Sequence, residues 1–143
     1  MYSTKFLKFI ENAKTPFHAV MGLEEKLIEA GFVKLLESKC WDIALGGKYY
    51  VCKNDSSIIA FTVPTDLSDL SINIAASHTD SPTFKVKPNH TVDTAAKTLG
   101  MHLETYGGTI YSSWLDRPLS VAGRVILKEG NKLHYLGNHI INL

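Results

Sequence analysis

The chain has 143 residues, 45% of them apolar and 20% charged, with a formal net charge of +1. That is enough chain for one ordinary domain with a hydrophobic core, and the composition excludes a wholly disordered or collagen-like protein. There is no basic excess to grip a phosphate backbone, so nucleic acid is not the expected partner. No apolar run approaches the about 20 residues of a spanning helix, so no membrane partner is expected either.

The N-terminal stretch MYSTKFLKFIENAK places Phe6, Phe9, Ile10 and Ala13 at i, i+3, i+4 and i+7, which predicts an amphipathic helix. Lys5, Lys8 and Glu11 interrupt it too often for a signal sequence. Thr15-Pro16 then opens a second helix, with Thr15 as the capping residue and Pro16 at the first helical position, where its missing N–H costs nothing. Phe17, Val20, Met21, Leu27 and Ile28 form its stripe, and Gly31 is its stop.

From residue 48 the period changes. KYYVCK and SIIAFTVP around Asn54-Asp55-Ser56 predict a β-hairpin. Residues 66–69 read as a polar loop. INIAAS (72–77) is apolar at nearly every position, which predicts a strand covered on both faces. TFKVKP is a short extended piece, and residues 89–97 are polar and read as a loop or linker. Gly107-Gly108 marks a bend before a β-rich run containing Tyr111 and Trp114. SVAGRVILK, a turn at Glu129-Gly130-Asn131 and KLHYL predict a second hairpin. The expected fold class is therefore α/β: helices layered on a sheet in the first part, followed by a nearly all-β second part. Cys40 and Cys52, with no secretory signal, read as reduced thiols of a cytoplasmic protein.

The stretch IAASHTDSP (74–82) carries the chemistry. His78 and Asp80 end a strand-like run, and side chains two apart on a strand share a face. An imidazole there is placed to bind a metal through one nitrogen while the carboxylate takes the other ring N–H, fixing the tautomer. The competing reading is an ordinary pair that hydrogen-bonds the backbone. One histidine does not make a metal site, since a catalytic zinc takes about three protein ligands.

The segments NDSSIIAF, SHTDSPTFKVKPN and ETYGGTIYSSWLDRPLSVAGRV resemble the M18 aminopeptidases, the aspartyl aminopeptidase family, and TPFHAV and GGKYYV are similar as well. The likeness covers most of residues 4–128, in the family's order. It implies a zinc-exopeptidase-like α/β/α sheet domain, with residues 1–92 as its N-terminal portion and residues 93–143 as the truncated beginning of an inserted β dimerisation domain. It implies that His78 is a ligand of a two-zinc (Zn2+) centre and that Asp80 is the catalytic carboxylate supporting it. It implies a peptide substrate, losing N-terminal residues that include acidic ones, and a homo-oligomer. The family's other ligands are a bridging aspartate, an adjacent glutamate pair holding the general base, a further aspartate and a late histidine. None of these motifs is found before Leu143, so the chain alone is expected to be inactive. No substrate-binding residue is assigned. The alternative is a non-catalytic truncated paralogue, or interaction fragment, that associates through its β segment.

The remaining chemistry-bearing residues read as structural. Asp116-Arg117 is expected to be a local ion pair or interface contact and not the family's bridging aspartate. His18 reads as a cap or packing residue, and His90, His102, His134 and His139 lack paired ligand spacing. Gly107-Gly108 does not match a phosphate loop. Tyr106, Tyr111 and Trp114 are expected on a half-buried β face, and Cys52 is expected to pack within its strand.

Overall fold

The protein, represented by a computed structural model, is described over residues 2–68, 71–126 and 133–141. It divides into two compact units: Met1–Thr79 with Gly123–Tyr135, and Asp80–Ala122 with Leu136–Leu143.

In the first unit, helix α1 (Tyr2–Asn12) and helix α2 (Pro16–Glu29) precede strands β1 (Val33–Lys34), β2 (Lys48–Lys53) and β3 (Ser57–Thr62). The α2 start is as its sequence dictates. Thr15 is extended, and its side chain accepts from the His18 backbone N–H at 3.4 Å, with Pro16 in the first turn. At the other end Gly31 adopts φ 81°, and the N–H groups of Gly31 and Phe32 close on the Ile28 and Leu27 carbonyls. The sheet order is β1-β2-β3. β2 and β3 form the expected antiparallel hairpin, from Lys48 opposite Thr62 to Lys53 opposite Ser57. Its turn holds Asn54 and Asp55 at φ 52° and 57°, a left-handed conformation these two residue types tolerate. β1 runs parallel to β2, pairing Val33 with Tyr49, a strand too short for sequence periodicity to reveal.

Among the described residues, the buried side chains of this unit are Ala19, Val20, Leu35, Tyr49 and Tyr50, contributed by α2, the β1 exit and β2. Arg124 fastens the hairpin turn to the same unit. Its guanidinium reaches the Asn54 carbonyl at 3.1 Å and Asp55 at 3.8 Å, and lies 4.2 Å from the Phe17 ring centroid.

The α1 helix forms as expected, with Phe9 and Ala13 half-buried and Phe6 and Ile10 exposed. One expectation is corrected here: residues 72–77 are not a strand, and they are exposed, with Ile74 at 86%. A strand needs a neighbour to complete its hydrogen bonds, and no described strand pairs with this segment. Composition announces burial but does not supply the partner.

In the second unit, β4 (Thr83–Asp93) and β5 (Leu99–Tyr106) form an antiparallel ribbon, with Thr83 opposite Tyr106, Asp93 opposite Leu99 and a register shift between Val86 and Thr91. The loop expected at 89–97 is corrected: β4 continues through Asp93, and the turn is confined to residues 94–97, closed by Thr94 and Thr98. A two-stranded ribbon with exposed residues along its length places no demand for apolar side chains, so polarity there does not signal a loop. The β-rich run after the glycines is also corrected, because Tyr111–Ser113 form a 3-10 turn. Phe84 sits against Tyr111 and Trp114, with ring centroids at 6.0 and 5.1 Å.

Strands β6 (Leu119–Ile126) and β7 (Leu133–Ile141) are hydrogen-bonded neighbours, as the second hairpin requires. Its expected turn at residues 129–131 lies outside the described residues.

Candidate functional site

His78 ends the exposed segment, outside any helix or strand, that starts at residue 71. The residue after it is tethered: Thr79 Oγ1 donates to the Ser56 carbonyl at 2.9 Å, joining this segment to the β2–β3 turn of the first unit. That turn is held by the left-handed pair Asn54-Asp55 and by Arg124, so the tether ends on a well-braced loop.

Asp80 belongs to the second unit and is half-buried. The Tyr106 hydroxyl donates to its Oδ2 at 2.7 Å. Tyr106 is the last residue of β5, and the ladder sets it opposite Thr83, three residues beyond Asp80. Lys85 Nζ lies 4.0 Å from the Tyr106 ring centroid. The hydrogen bond to the Asp80 carboxylate, and then its negative charge, push the Tyr106 phenol above the usual tyrosine range. Immediately after Tyr106, Gly107 turns with φ 72°, and a Cβ at this position would lie 3.5 Å from Pro82. The bend expected of the two glycines is therefore present, and it brings the end of β5 beside the residue that follows Ser81.

Asp80, Tyr106 and Lys85 thus form a small acid–phenol–ammonium cluster. Sequence reading found Asp80 but missed the roles of Tyr106 and Lys85. The sequence places Tyr106 on an aromatic face, and its bond to Asp80 comes from the β4–β5 pairing that sets it opposite Thr83. The Thr79 tether to a carbonyl 23 residues away has no spacing signature in the sequence.

The other residues take structural positions. His18 Nδ1 lies 2.8 Å from Thr15 Oγ1 at the start of α2, consistent with a capping role, and burial lowers its pKa below 6.5. His90 contacts the Pro88 carbonyl at 3.1 Å and His102 is half-way along β5, exposed. The side chains of His134 and His139 lie outside the described residues. Arg117 donates to the Ser113 carbonyl at 3.3 Å, and Asp116 adopts φ 54°. Both cysteines are free thiols, Cys40 exposed and Cys52 half-buried in β2. Burial and then a hydrogen bond with Glu24 push the Cys52 thiol up to about 11.

A catalytic zinc takes about three protein ligands. Among the described residues no group of three or more His, Cys, Asp or Glu stands together. Nor is any helix among them long and apolar enough to cross a membrane.

Comparison with known proteins gives this geometry a context. A family model described as Aminopeptidase I zinc metalloprotease (M18) matches residues 9–142. A probable M18 family aminopeptidase 2 of Clostridium acetobutylicum is 41% identical over 133 residues, which are 92% of this chain and 31% of the relative. An aspartyl aminopeptidase of Caenorhabditis elegans is 44% identical over 133 residues, covering 92% of this chain and 28% of the relative. Among solved structures, Chaetomium thermophilum mApe1 superposes with a TM-score of 0.85 at 33% identity, over 99% of this chain and 32% of that one. The S. cerevisiae mApe1 dodecamer does so with a TM-score of 0.74 at 31% identity, over 94% and 32%. The chain thus spans under a third of the length of these relatives. With the match running through His78 and Asp80 and across nearly all of its length, the chain belongs to the M18 aminopeptidase family.

Proposed function

We propose that this chain is the front part of a zinc aminopeptidase that removes N-terminal residues, acidic ones included, from peptides. In this reading His78 gives a ring nitrogen to one ion of a two-zinc centre, and Asp80 accepts the other ring N–H and fixes the imidazole's tautomer. The remaining ligands and the glutamate base belong to the part of the relatives' length that this chain does not span. Residues 93–143 correspond to the start of an inserted β domain and residues 1–92 to the N-terminal part of the catalytic one. The same proposal accounts for residues 72–77, which have the composition of a central strand but whose apolar side chains are exposed. Their sheet partners would lie in the remainder.

The observation that carries the proposal is the family match over residues 9–142, which includes both site residues. The chain offers one ligand where about three are needed, so it is inactive alone. A zinc titration of the purified chain followed by NMR at the histidines tests both halves. His78 is expected to respond first, and His78→Ala to abolish that response. Preference of zinc for another histidine refutes the ligand assignment, and turnover of an aminoacyl substrate by the chain alone refutes its incompleteness.

The proposed assembly is a homo-oligomer, supported by the relative described as a dodecamer, and the proposed location is the cytoplasm. A second reading, a non-catalytic chain that associates with other copies, is favoured by the exposure of Ile72 at 75% and Ile74 at 86%. It is separated from the first by joining the chain to the remainder of an M18 sequence. Restored zinc-dependent turnover that His78→Ala abolishes supports the peptidase, and an inactive, folded product supports the second reading.

A further inference from the structure

We infer that Arg124 is a positioning residue for His78: from strand β6 it clasps the β2–β3 turn on which the His78 segment is moored. This builds on the proposed role of His78 as a zinc ligand. Every residue concerned belongs to the first unit, which takes in Gly123–Tyr135 along with Met1–Thr79. Residues 93–143, proposed as the start of an inserted β domain, thus contribute through Arg124 to the unit that carries His78.

Arg124 makes three converging contacts. Its Nη1 donates to the Asn54 carbonyl at 3.1 Å, across 70 residues of chain, and lies 3.8 Å from Asp55 Oδ2. Its guanidinium carbon sits 4.2 Å from the ring centroid of Phe17, in the first turn of α2. The ion pair alone is weak at this exposure. Together the carbonyl, the carboxylate and the ring fix the plane of the guanidinium, a task for a rigid fork and not for a flexible ammonium. The turn is of a kind that gains from such a brace. Asn54 and Asp55, its central residues, take φ 52° and 57°, and the Ser56 N–H closes on the Lys53 carbonyl at 3.1 Å. Positive φ at two successive positions is uncommon outside glycine, even for these residue types.

The consequence for His78 runs through two hydrogen bonds. The first, from Arg124, fixes the direction of the Asn54 carbonyl, and so of the peptide plane between the two left-handed residues. A flip of that plane would swing the carbonyl away from the guanidinium and change the turn type. The second is at Ser56, the last residue of the same turn, whose carbonyl accepts from Thr79 Oγ1 at 2.9 Å. Thr79 follows His78 directly, and His78 lies in an exposed segment that pairs with no described strand. The clasp therefore acts on the tether at the neighbouring residue and leaves the other contacts of His78 as they are. A ligand whose segment is already ordered surrenders less conformational freedom when it takes a metal, so a braced turn strengthens metal binding at His78.

The test uses the 143-residue chain as wild type, Arg124→Met, Thr79→Val and the double variant, with zinc chloride as the metal probe. Arg124→Met keeps the apolar stem and deletes the guanidinium, and amide shifts along β2 and β3 report that the hairpin is intact. Limited proteolysis within residues 71–79 is expected to rise about fivefold in Arg124→Met, as in Thr79→Val, and no further in the double variant, because both act on one tether. A general loss of stability would instead add to Thr79→Val and speed cleavage elsewhere in the first unit. The zinc concentration at half response of the His78 ring nitrogens is expected to rise about threefold or more in Arg124→Met, and no more in the double variant. Arg117→Met, which deletes a donor to the Ser113 carbonyl in the second unit, is expected to change neither reading. Unchanged cleavage in Arg124→Met, or cleavage that adds in the double variant, overturns the clasp. A looser segment with an unshifted zinc response overturns the positioning role and leaves the ligand reading standing. Zinc that passes over His78 in the wild type refutes the ligand reading, and the inference with it. Should Arg124→Met disrupt the hairpin, Arg124→Lys decides: the charge stays while the fork and its stacking on Phe17 are lost, and cleavage and zinc response like wild type overturn the inference.

Discussion

Gly47→Ala tests how the small core of the first unit is built. A Cβ at residue 47 would lie 2.6 Å from the Tyr49 Cζ and 2.5 Å from its hydroxyl oxygen, well inside the about 3.5–4.0 Å at which non-bonded heavy atoms rest. The Tyr49 ring has little room to yield. It is 8% exposed, packs against Phe61 at 5.8 Å between centroids, and its hydroxyl accepts the Ala44 N–H at 2.9 Å. Overfilling such a site costs about 1–3 kcal/mol. Losing the hydroxyl's bond adds about 1 kcal/mol, for an expected destabilisation of about 2–4 kcal/mol. Urea unfolding followed by Trp41 fluorescence in a Trp114→Phe background confines the signal to the first unit. Gly123→Ala is the control, since a Cβ there meets open space, and it is expected to change stability by less than about 0.5 kcal/mol. In a Tyr49→Ala background the cost of Gly47→Ala should fall by more than about 1 kcal/mol. A Gly47→Ala protein as stable as wild type, or one paying the same cost without the Tyr49 ring, refutes the reasoning.

Three further outcomes follow from the same structure. With the Cys52 thiol raised to about 11, only about one in a thousand is thiolate near pH 8, so iodoacetamide should alkylate the exposed Cys40 at least tenfold faster, and comparable rates in peptide mapping would contradict the burial of Cys52. Burial lowers the pKa of His18, so the folded chain favours its neutral form; that contribution to stability is present above 6.5 and is lost as pH falls through the folded-state value. His18→Gln should therefore flatten the decline of unfolding midpoint below pH 6.5, and an unchanged profile would remove His18 from the account. Thr79→Val deletes the donor to the Ser56 carbonyl while keeping the shape, and limited proteolysis within residues 71–79 should rise about fivefold, with Thr79→Ser like wild type; equal cleavage in all three would show that the tether holds nothing.

How much of this was legible in the sequence depends on whether the signal was local. Thr15-Pro16, Gly31, Asn54-Asp55 and Gly107 each fix backbone within a few residues, and each was found where it was expected. The two hairpins are announced by β-rich runs around turn residues, and in both the two strands are hydrogen-bonded neighbours. The expectations that failed depended on something outside the segment. Residues 72–77 have the composition of a buried strand, yet burial is a property of neighbours, and among the described residues there is none paired to them. Residues 89–93 are polar yet extended, because a ribbon partner satisfies their backbone whatever their side chains are. At the candidate site, His78 and Asp80 were legible as a pair with a spacing, whereas Thr79, Tyr106 and Lys85 gain their roles only through contacts made across longer stretches of chain.

That contrast bears on how a His-x-Asp pair is made useful. Spacing alone puts two side chains on one face only while the backbone is extended, and an exposed segment with no sheet partner does not guarantee that. Here the middle residue, Thr79, donates to the Ser56 carbonyl in the first unit, and Asp80 accepts from Tyr106 in the second. Each of these two bonds lies within one unit, which makes them experimentally separable. Loosening Thr79 should change the mobility of the segment that carries His78 without touching the Tyr106 phenol, and removing the Tyr106 hydroxyl should leave the Thr79 tether intact. If the proposed metal chemistry needs both members in register, either lesion alone should weaken it, and the two together should cost less than their sum, because a pair already broken at one end has little left to lose at the other.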